Sequence, residues 1–247
     1  GKHIITVQYV GYEKVELQVE IVDRWIDHDF ILKDVTLLLN EVTIRSRRED
    51  PSYTIIRKAI AKRKYHLLQY DSYDVKVYIK GTGELQKVPF FLKKTIEKEG
   101  DVKLNEAYTS ESVSQIHFQQ PNKIEEKVIS VYTSGNDHGA PGPSIFIHQR
   151  IYQEKIAGII SPLAPSAFSY YKFRYEGSFR EQGIEVNKIK VTPRSRGEQV
   201  FEGYIYIIDG LWAVHSLDFE TILMGFKIDV KQNFAEVAPT VWMPVTH

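Results

Sequence analysis

The chain of 247 residues contains no cysteine, which excludes disulfides, thiolate nucleophiles and cysteine-ligated zinc. It also lacks any apolar run approaching the ~18–20 residues that a membrane-spanning helix requires. An excess of one charge is missing too. The 32 Lys+Arg balance 32 Asp+Glu for a formal net charge of +0, so the whole chain gives no electrostatic reason to bind nucleic acid.

The signatures of common chemistries are equally scarce. There is no His-Glu-x-x-His and no Gly-x-Ser-x-Gly, so neither a zinc hydrolase nor a nucleophile elbow is encoded. Gly81-Thr82-Gly83 lacks a third glycine and a following Lys-Ser/Thr, and reads as a hairpin turn instead of a phosphate loop. In His215-Ser216-Leu217-Asp218 the first and last residues would face opposite ways on a strand. Carboxylates are scattered along charged strand faces. The expectation is a protein that is not an enzyme, with no catalytic residue, metal or cofactor. One polar cluster stands apart: Asn136, Asp137 and His138 lie in a long irregular loop with His148 nearby. It could act as a small metal or acid–base group, or be an ordinary polar loop.

Aromatic residues are what the chain has in quantity, 15 Tyr, 12 Phe and 3 Trp, a usage that suits twisted antiparallel sheets. The stretch "SPLAPSAFSYYKFRYEGSF" (161–179) concentrates them. Tyr171, Phe173 and Tyr175 alternate with Lys172, Arg174 and Glu176, which predicts a strand with one aromatic and one charged face. Stacking and phosphate contacts would then lie on opposite faces, which argues against single-stranded nucleic acid. The aromatic face either fills a core or lines a space for a ligand.

Around this stretch the elements alternate. Ile4–Val10 and Val15–Ile21 read as strands joined near Gly11-Tyr12, and Phe30–Leu39 and Glu41–Ile44 as one or two more. The chain enters its first strand directly from Gly1-Lys2-His3, which predicts a piece trimmed from a longer protein. Residues 45–49 form a charged linker. Asp50-Pro51 then signals a helix start, and Ile56, Ala59, Ile60, Arg63 and Leu67 give a helix from about Ser52 to Gln69.

Residues 45–64 hold eight Lys/Arg against two acids. They form either a basic surface for phosphates or headgroups, or a solvated helix face. Strands are expected at Tyr73–Lys80, Val88–Leu92, Leu104–Thr109 and Val113–Phe118, while Lys123–Ser130 fits a short helix or a strand. The last third reads as an antiparallel meander: Tyr170–Phe179, Ile184–Thr192, Val200–Ile208, Leu211–Phe219, Phe226–Phe234 and Val241–Val245, with Asp209-Gly210 as a two-residue hairpin. Together with the earlier strands it predicts one large curved sheet covered by the 52–69 helix.

Two resemblances sharpen the expectation. "HIITVQYVGYEKVELQVEIVD…DVTLLLNEVTI" (His3 to Ile44) resembles the C-terminal half of the carboxypeptidase-regulatory-like β-sandwich. "DPSYTIIRKAIAKRKYHLLQYDSYDVKVYIKGTGEL", "SPLAPSAFSYYKFRYEGSF", "NKIKVTPRSRGEQVFEGYIYIIDGLWAVHSLDF" and "WMPV" resemble a Bacteroidetes family of unknown function. Its members join that regulatory-like domain to a middle domain and a predicted outer-membrane β-barrel. The middle domain in turn looks like the lipoprotein-carrier (LolA-like) fold, a half-barrel sheet closed by helices.

The resemblance implies a mainly β (α+β) chain, with part of a β-sandwich at 1–44 and a LolA-like domain at 45–247. It places the chain at the periplasmic face of the outer membrane. The implied function is non-enzymatic binding of an acyl-chain lipid, a lipoprotein or an envelope partner. The alternative is a filled-core scaffold for the chain's own barrel. Candidate ligand-binding residues are Ile56, Ile60, Leu67, Tyr171, Phe173, Tyr175, Phe201, Ile205 and Ile207, beneath a covering loop at Ile156–Phe168.

Overall fold

The computed structural model describes residues 1–23, 25–36, 49–84, 107–134, 147, 150–195, 200–223 and 226–246. Expected strands at Glu41–Ile44 and Val88–Leu92, and the expected domain boundary at 44/45, lie outside them. In chain order the elements are β1 (Lys2–Val7), β2 (Val15–Glu20), α1 (Pro51–Leu68), β3 (Ser72–Glu84), β4 (Ala107–Gln119) and β5 (Lys123–Ser134). They continue with β6 (Lys155–Ile156), β7 (Ile159–Ile160), α2 (Ala167–Tyr170), β8 (Tyr171–Glu181), β9 (Ile184–Pro193), β10 (Glu202–Ile208), β11 (Val214–Leu223), β12 (Phe226–Ala238) and β13 (Val241–Thr246). The chain forms two compact units, Gly1–Gln69 with Ile151–His247, and Tyr70–Arg150.

In the first unit, β8 to β13 form a six-stranded antiparallel meander in the order β13-β12-β11-β10-β9-β8. It is built without β3, β4 and β5, which make a three-stranded sheet of their own, so the expected single sheet is divided. α1 begins where Asp50-Pro51 predicts. Asp50 is extended (φ −55°, ψ 132°) and its carboxylate accepts from the Ser52 N–H at 2.9 Å, satisfying one of the free donors of the first turn. The helix lays Ile55, Ile56 and Ala59 on the sheet's main core. Burying three such side chains is worth several kcal/mol in total.

Plain alternation puts Val186 and Tyr206 on the sheet's second face, and one of two β-bulges adds Phe179 to it. Pairing runs Tyr175↔Ile189 and then Gly177↔Lys188, leaving Glu176 as the extra residue. A bulge reverses the alternation that follows it, so Phe179 faces away from Tyr175. Likewise His215 is extra between Tyr206↔Ser216 and Ile207↔Val214. On this second face Phe179, Val186 and Tyr206 are buried together with Val10, with Val35 packed against them. The Tyr9–Tyr12 turn is what covers it. Gly11 sits at φ +86° there, a left-handed conformation that favours glycine.

Two expected turns are corrected. Gly81-Thr82-Gly83 lies inside β3, paired with Ser110, Thr109 and Tyr108. A Cβ at Gly81 would stand 3.2 Å from Ser110 Oγ, so glycine there serves close cross-strand approach and not a turn. The β10–β11 connection is longer than the Asp209-Gly210 pair: Ile208 N–H donates to Ala213 O and Trp212 N–H to Ile208 O. Trp212 takes φ 58°, and β11 starts at Val214 rather than Leu211.

The second unit is the β3-β4-β5 antiparallel sheet; of the two options for residues 123–130, the strand is found. Ile116 and Phe118 are buried on one face. Tyr73 stacks on Phe118 at 5.0 Å, and the Arg150 guanidinium lies 4.4 Å above the Phe118 ring, an attraction to the negative ring face.

Candidate functional site

The nine candidate residues come together. Ile56, Tyr171, Phe173, Phe201, Ile205 and Ile207 are buried in the main core, and Ile60, Leu67 and Tyr175 are half-buried against it. Register explains the strand members: Tyr175 pairs with Ile189 and Phe173 with Val191, while Ile205 pairs with Ile189. All of these point to the face that α1 covers.

Tyr171 is fully buried. Its hydroxyl donates to Ile160 O and accepts from the Phe201 N–H at 3.1 Å. Both sides of the hydroxyl are therefore used, as a buried phenol requires. Burial pushes its pKa up to about 12. Phe173 is held edge-on by Tyr53 at 6.0 Å and by Phe168 at 5.5 Å, and Tyr53 and Phe168 stack at 5.6 Å.

The proline-containing loop is part of this packing. Leu163, Ala164 and Ala167 are buried, and Ser161 Oγ donates to Ile151 O at 2.6 Å and accepts from Leu163 N at 3.1 Å. The loop is packed into the same core as the helix and the sheet.

Four of the five Lys and Arg side chains of α1 have partners. Arg57 makes two 2.6 Å bonds to Glu49, which hold that carboxylate's pKa down. Lys58 Nζ lies 4.1 Å above the Trp212 ring and Lys62 5.3 Å above Tyr65. Arg63 is buried and donates to Tyr152 O at 3.2 Å and to Glu154 at 3.0 Å.

Two buried histidines were not singled out as site residues. His66, on α1, is stacked on Tyr152 at 5.3 Å with Nε2 3.2 Å from Leu211 O. That carbonyl can only accept, so Nε2 carries the proton. His66 Nδ1 and Gln69 Oε1 are both buried without a hydrogen-bond partner. Burial pulls the His66 pKa below its usual value, with a smaller opposing effect of Gln69. The signal was helical spacing: His66 stands seven residues after Ala59 and three after Arg63, on the buried face of α1.

His215, the bulge residue of β11, lies with Nε2 3.4 Å from Glu181 and Nδ1 3.1 Å from Ser216 Oγ. Its bond to Glu181 is the largest influence lowering that carboxylate's pKa. Ser216 is 2% exposed, so this Ser–His–Glu contact offers no reachable nucleophile. Asn136, Asp137, His138 and His148 lie outside the described residues.

Three surface depressions can be described. One, of about 490 Å³, has an apolar floor of Ile5, Leu17, Val19 and Ile21 on the β1–β2 hairpin. The others, about 420 and 340 Å³, lie beside Glu181 and Glu220. None of the three is lined by any of the nine candidate residues.

No curated protein matches the chain. The crystal structure of MucB is similar at 12% identity and a TM-score of 0.31, over 78% of this chain and 58% of the MucB chain. This chain thus spans less than two thirds of that structure's length. The profile of a family of unknown function (DUF5686) matches residues 55–247. That match takes in most of α1, the β3-β4-β5 sheet and the six-stranded meander, and the chain belongs to that family.

Proposed function

We propose that this chain is a non-enzymatic binding domain that works with a filled core, engaging an envelope protein partner through its surface at the periplasmic face of the outer membrane. The observation that carries the reading is Tyr171: a fully buried ring whose hydroxyl is bonded on both sides by backbone. An acyl chain between α1 and the sheet would have to displace Tyr171, Phe173 and the Ser161–Ala167 loop together. Each displacement strips a satisfied polar group or a packed ring of its partners. The chain's own barrel in the full-length protein is the partner that the family resemblance suggests.

Organic extraction of the purified protein followed by mass spectrometry tests this. The expected result is no stoichiometric acyl lipid and no uptake of a fluorescent fatty-acid probe. Phe173→Ala should then cost about 3–5 kcal/mol of stability, as a core truncation does. Near-stoichiometric acyl lipid that is lost in Tyr171→Ala would overturn the filled-core reading in favour of a lipid carrier.

A further inference from the structure

Among the described residues the outer edge of β2 is unpaired, the backbone bonds of Lys33 and Val35 reaching only Glu13 and Gly11 ahead of it. Among the described residues the hairpin is a sheet of two strands only, a size that is marginal without further partners. Gly1 and Ile21 exchange two backbone bonds, Gly1 N to Ile21 O and Ile21 N to Gly1 O. Bonded and non-bonded pairs alternate along an antiparallel ladder, and the register continues without a shift from Lys2↔Glu20 to Val7↔Val15. Lys2↔Glu20, Ile4↔Gln18 and Thr6↔Glu16 are therefore the non-bonded pairs. The N–H and C=O groups of Glu16, Gln18 and Glu20 point outward, away from β1.

The side chains along this edge sort by face. Leu17 and Val19 line the 490 Å³ groove, and Glu16, Gln18 and Glu20 stand exposed on the opposite face, Glu16 already within 2.7 Å of Lys14 Nζ and half exposed beyond it. Asp23 and Trp25 are among the residues that wall the groove, and Trp25 is fully exposed.

We propose that the outer edge of β2 takes up an extended segment of a partner protein whose residues are alternately apolar and basic, added as a third strand. Its apolar side chains continue the groove floor beside Leu17 and Val19. Its basic side chains fall beside Glu16 and Glu20, where opposite charges on adjacent strands attract. Backbone bonding to the outward groups supplies affinity, and the alternating side chains supply selectivity. This rests on the reading that the domain engages a protein partner, and names the surface and the chemistry it selects.

Amide hydrogen exchange on the 247-residue chain tests the site residue by residue. The probes are two synthetic nine-residue peptides, one alternating Lys and Val, the other alternating Glu and Val. The Lys/Val peptide should slow exchange at the Glu16, Gln18 and Glu20 amides by about tenfold at saturation, and leave Val15, Leu17 and Val19, already bonded to β1, unchanged. The Glu/Val peptide should protect none of them. In the exposed double variant Glu16→Lys/Glu20→Lys the preference should reverse.

Protection by neither peptide, or equally by both, overturns the proposal. So does protection of the three amides in the free protein: if it varies with concentration a second copy covers the edge, and if not, the chain's own residues do. Those failures differ from that of the filled-core reading, which falls only if lipid is recovered.

Discussion

The carboxylate of Asp50 accepts from the backbone N–H of Tyr175 at 3.1 Å, across 125 residues of sequence. The same group caps α1 through Ser52, so one side chain pins the helix start to β8 beside its bulge. Asp50→Ala removes the cap, worth about 1–2 kcal/mol, and leaves a partly buried strand N–H without its acceptor, worth about 1–3 kcal/mol. Asp50→Asn keeps an acceptor oxygen and should recover most of the loss. Urea unfolding of the three proteins checks the ranking.

Tyr171→Phe deletes only a hydroxyl, yet it leaves Phe201 N–H unsatisfied in the interior. A loss of about 1–3 kcal/mol is expected. The raised pKa adds a pH signature. The unfolded phenol ionises near ~10, the folded one at about 12. Between those values the folded state holds the proton that the unfolded state releases, so stability is full below the lower value and is lost as pH rises through the higher. Chemical denaturation from pH 9 to 12 should show a shallower loss in Tyr171→Phe than in the parent.

His66 works in the opposite direction. Its folded pKa is lowered by burial, so the neutral ring stabilises the fold above the unfolded value of ~6.5. That contribution is lost as pH falls through the folded pKa. Denaturant midpoints should decrease from pH 7.5 to 5.5, and His66→Gln, though less stable at pH 7.5, should flatten that dependence. A parallel pH trend in both proteins would remove His66 as its source.

Gly203 sits in β10 at φ +140°, and a Cβ there would meet the Asp218 carbonyl oxygen at 2.1 Å. Backbone cannot yield that distance cheaply. Gly203→Ala should cost about 3 kcal/mol or more, read as a thermal midpoint lowered by about 6–12 °C on the per-residue scale for chains of this size.

The parts of this architecture that were legible follow from local rules. Asp50-Pro51 announced α1, and strict alternation placed Tyr171, Phe173 and Tyr175 on one face. What escaped was set by partners distant in sequence. Gly81-Thr82-Gly83 reads as a turn until Ser110 is known to lie opposite it. Helical spacing puts His66 on the buried face with Ala59 and Arg63, but nothing local names its partner Leu211, 145 residues away. Alternation also carried no warning of the extra residues Glu176 and His215, because a bulge changes the count and not the composition.

That count has a consequence for how the chain can vary. From Tyr175 to Phe179 the strand changes allegiance, serving α1 before Glu176 and the Tyr9–Tyr12 turn after it. Pairing every residue in turn, without the bulge, would restore plain alternation, sending Phe179 to the helix side and bringing Arg180 to the position beside Val10 and Tyr206. Here the fold reads parity: an even separation between Tyr175 and Phe179 serves both faces only with one residue left out of the pairing, and a chain one residue shorter there would serve the same two faces with no bulge at all.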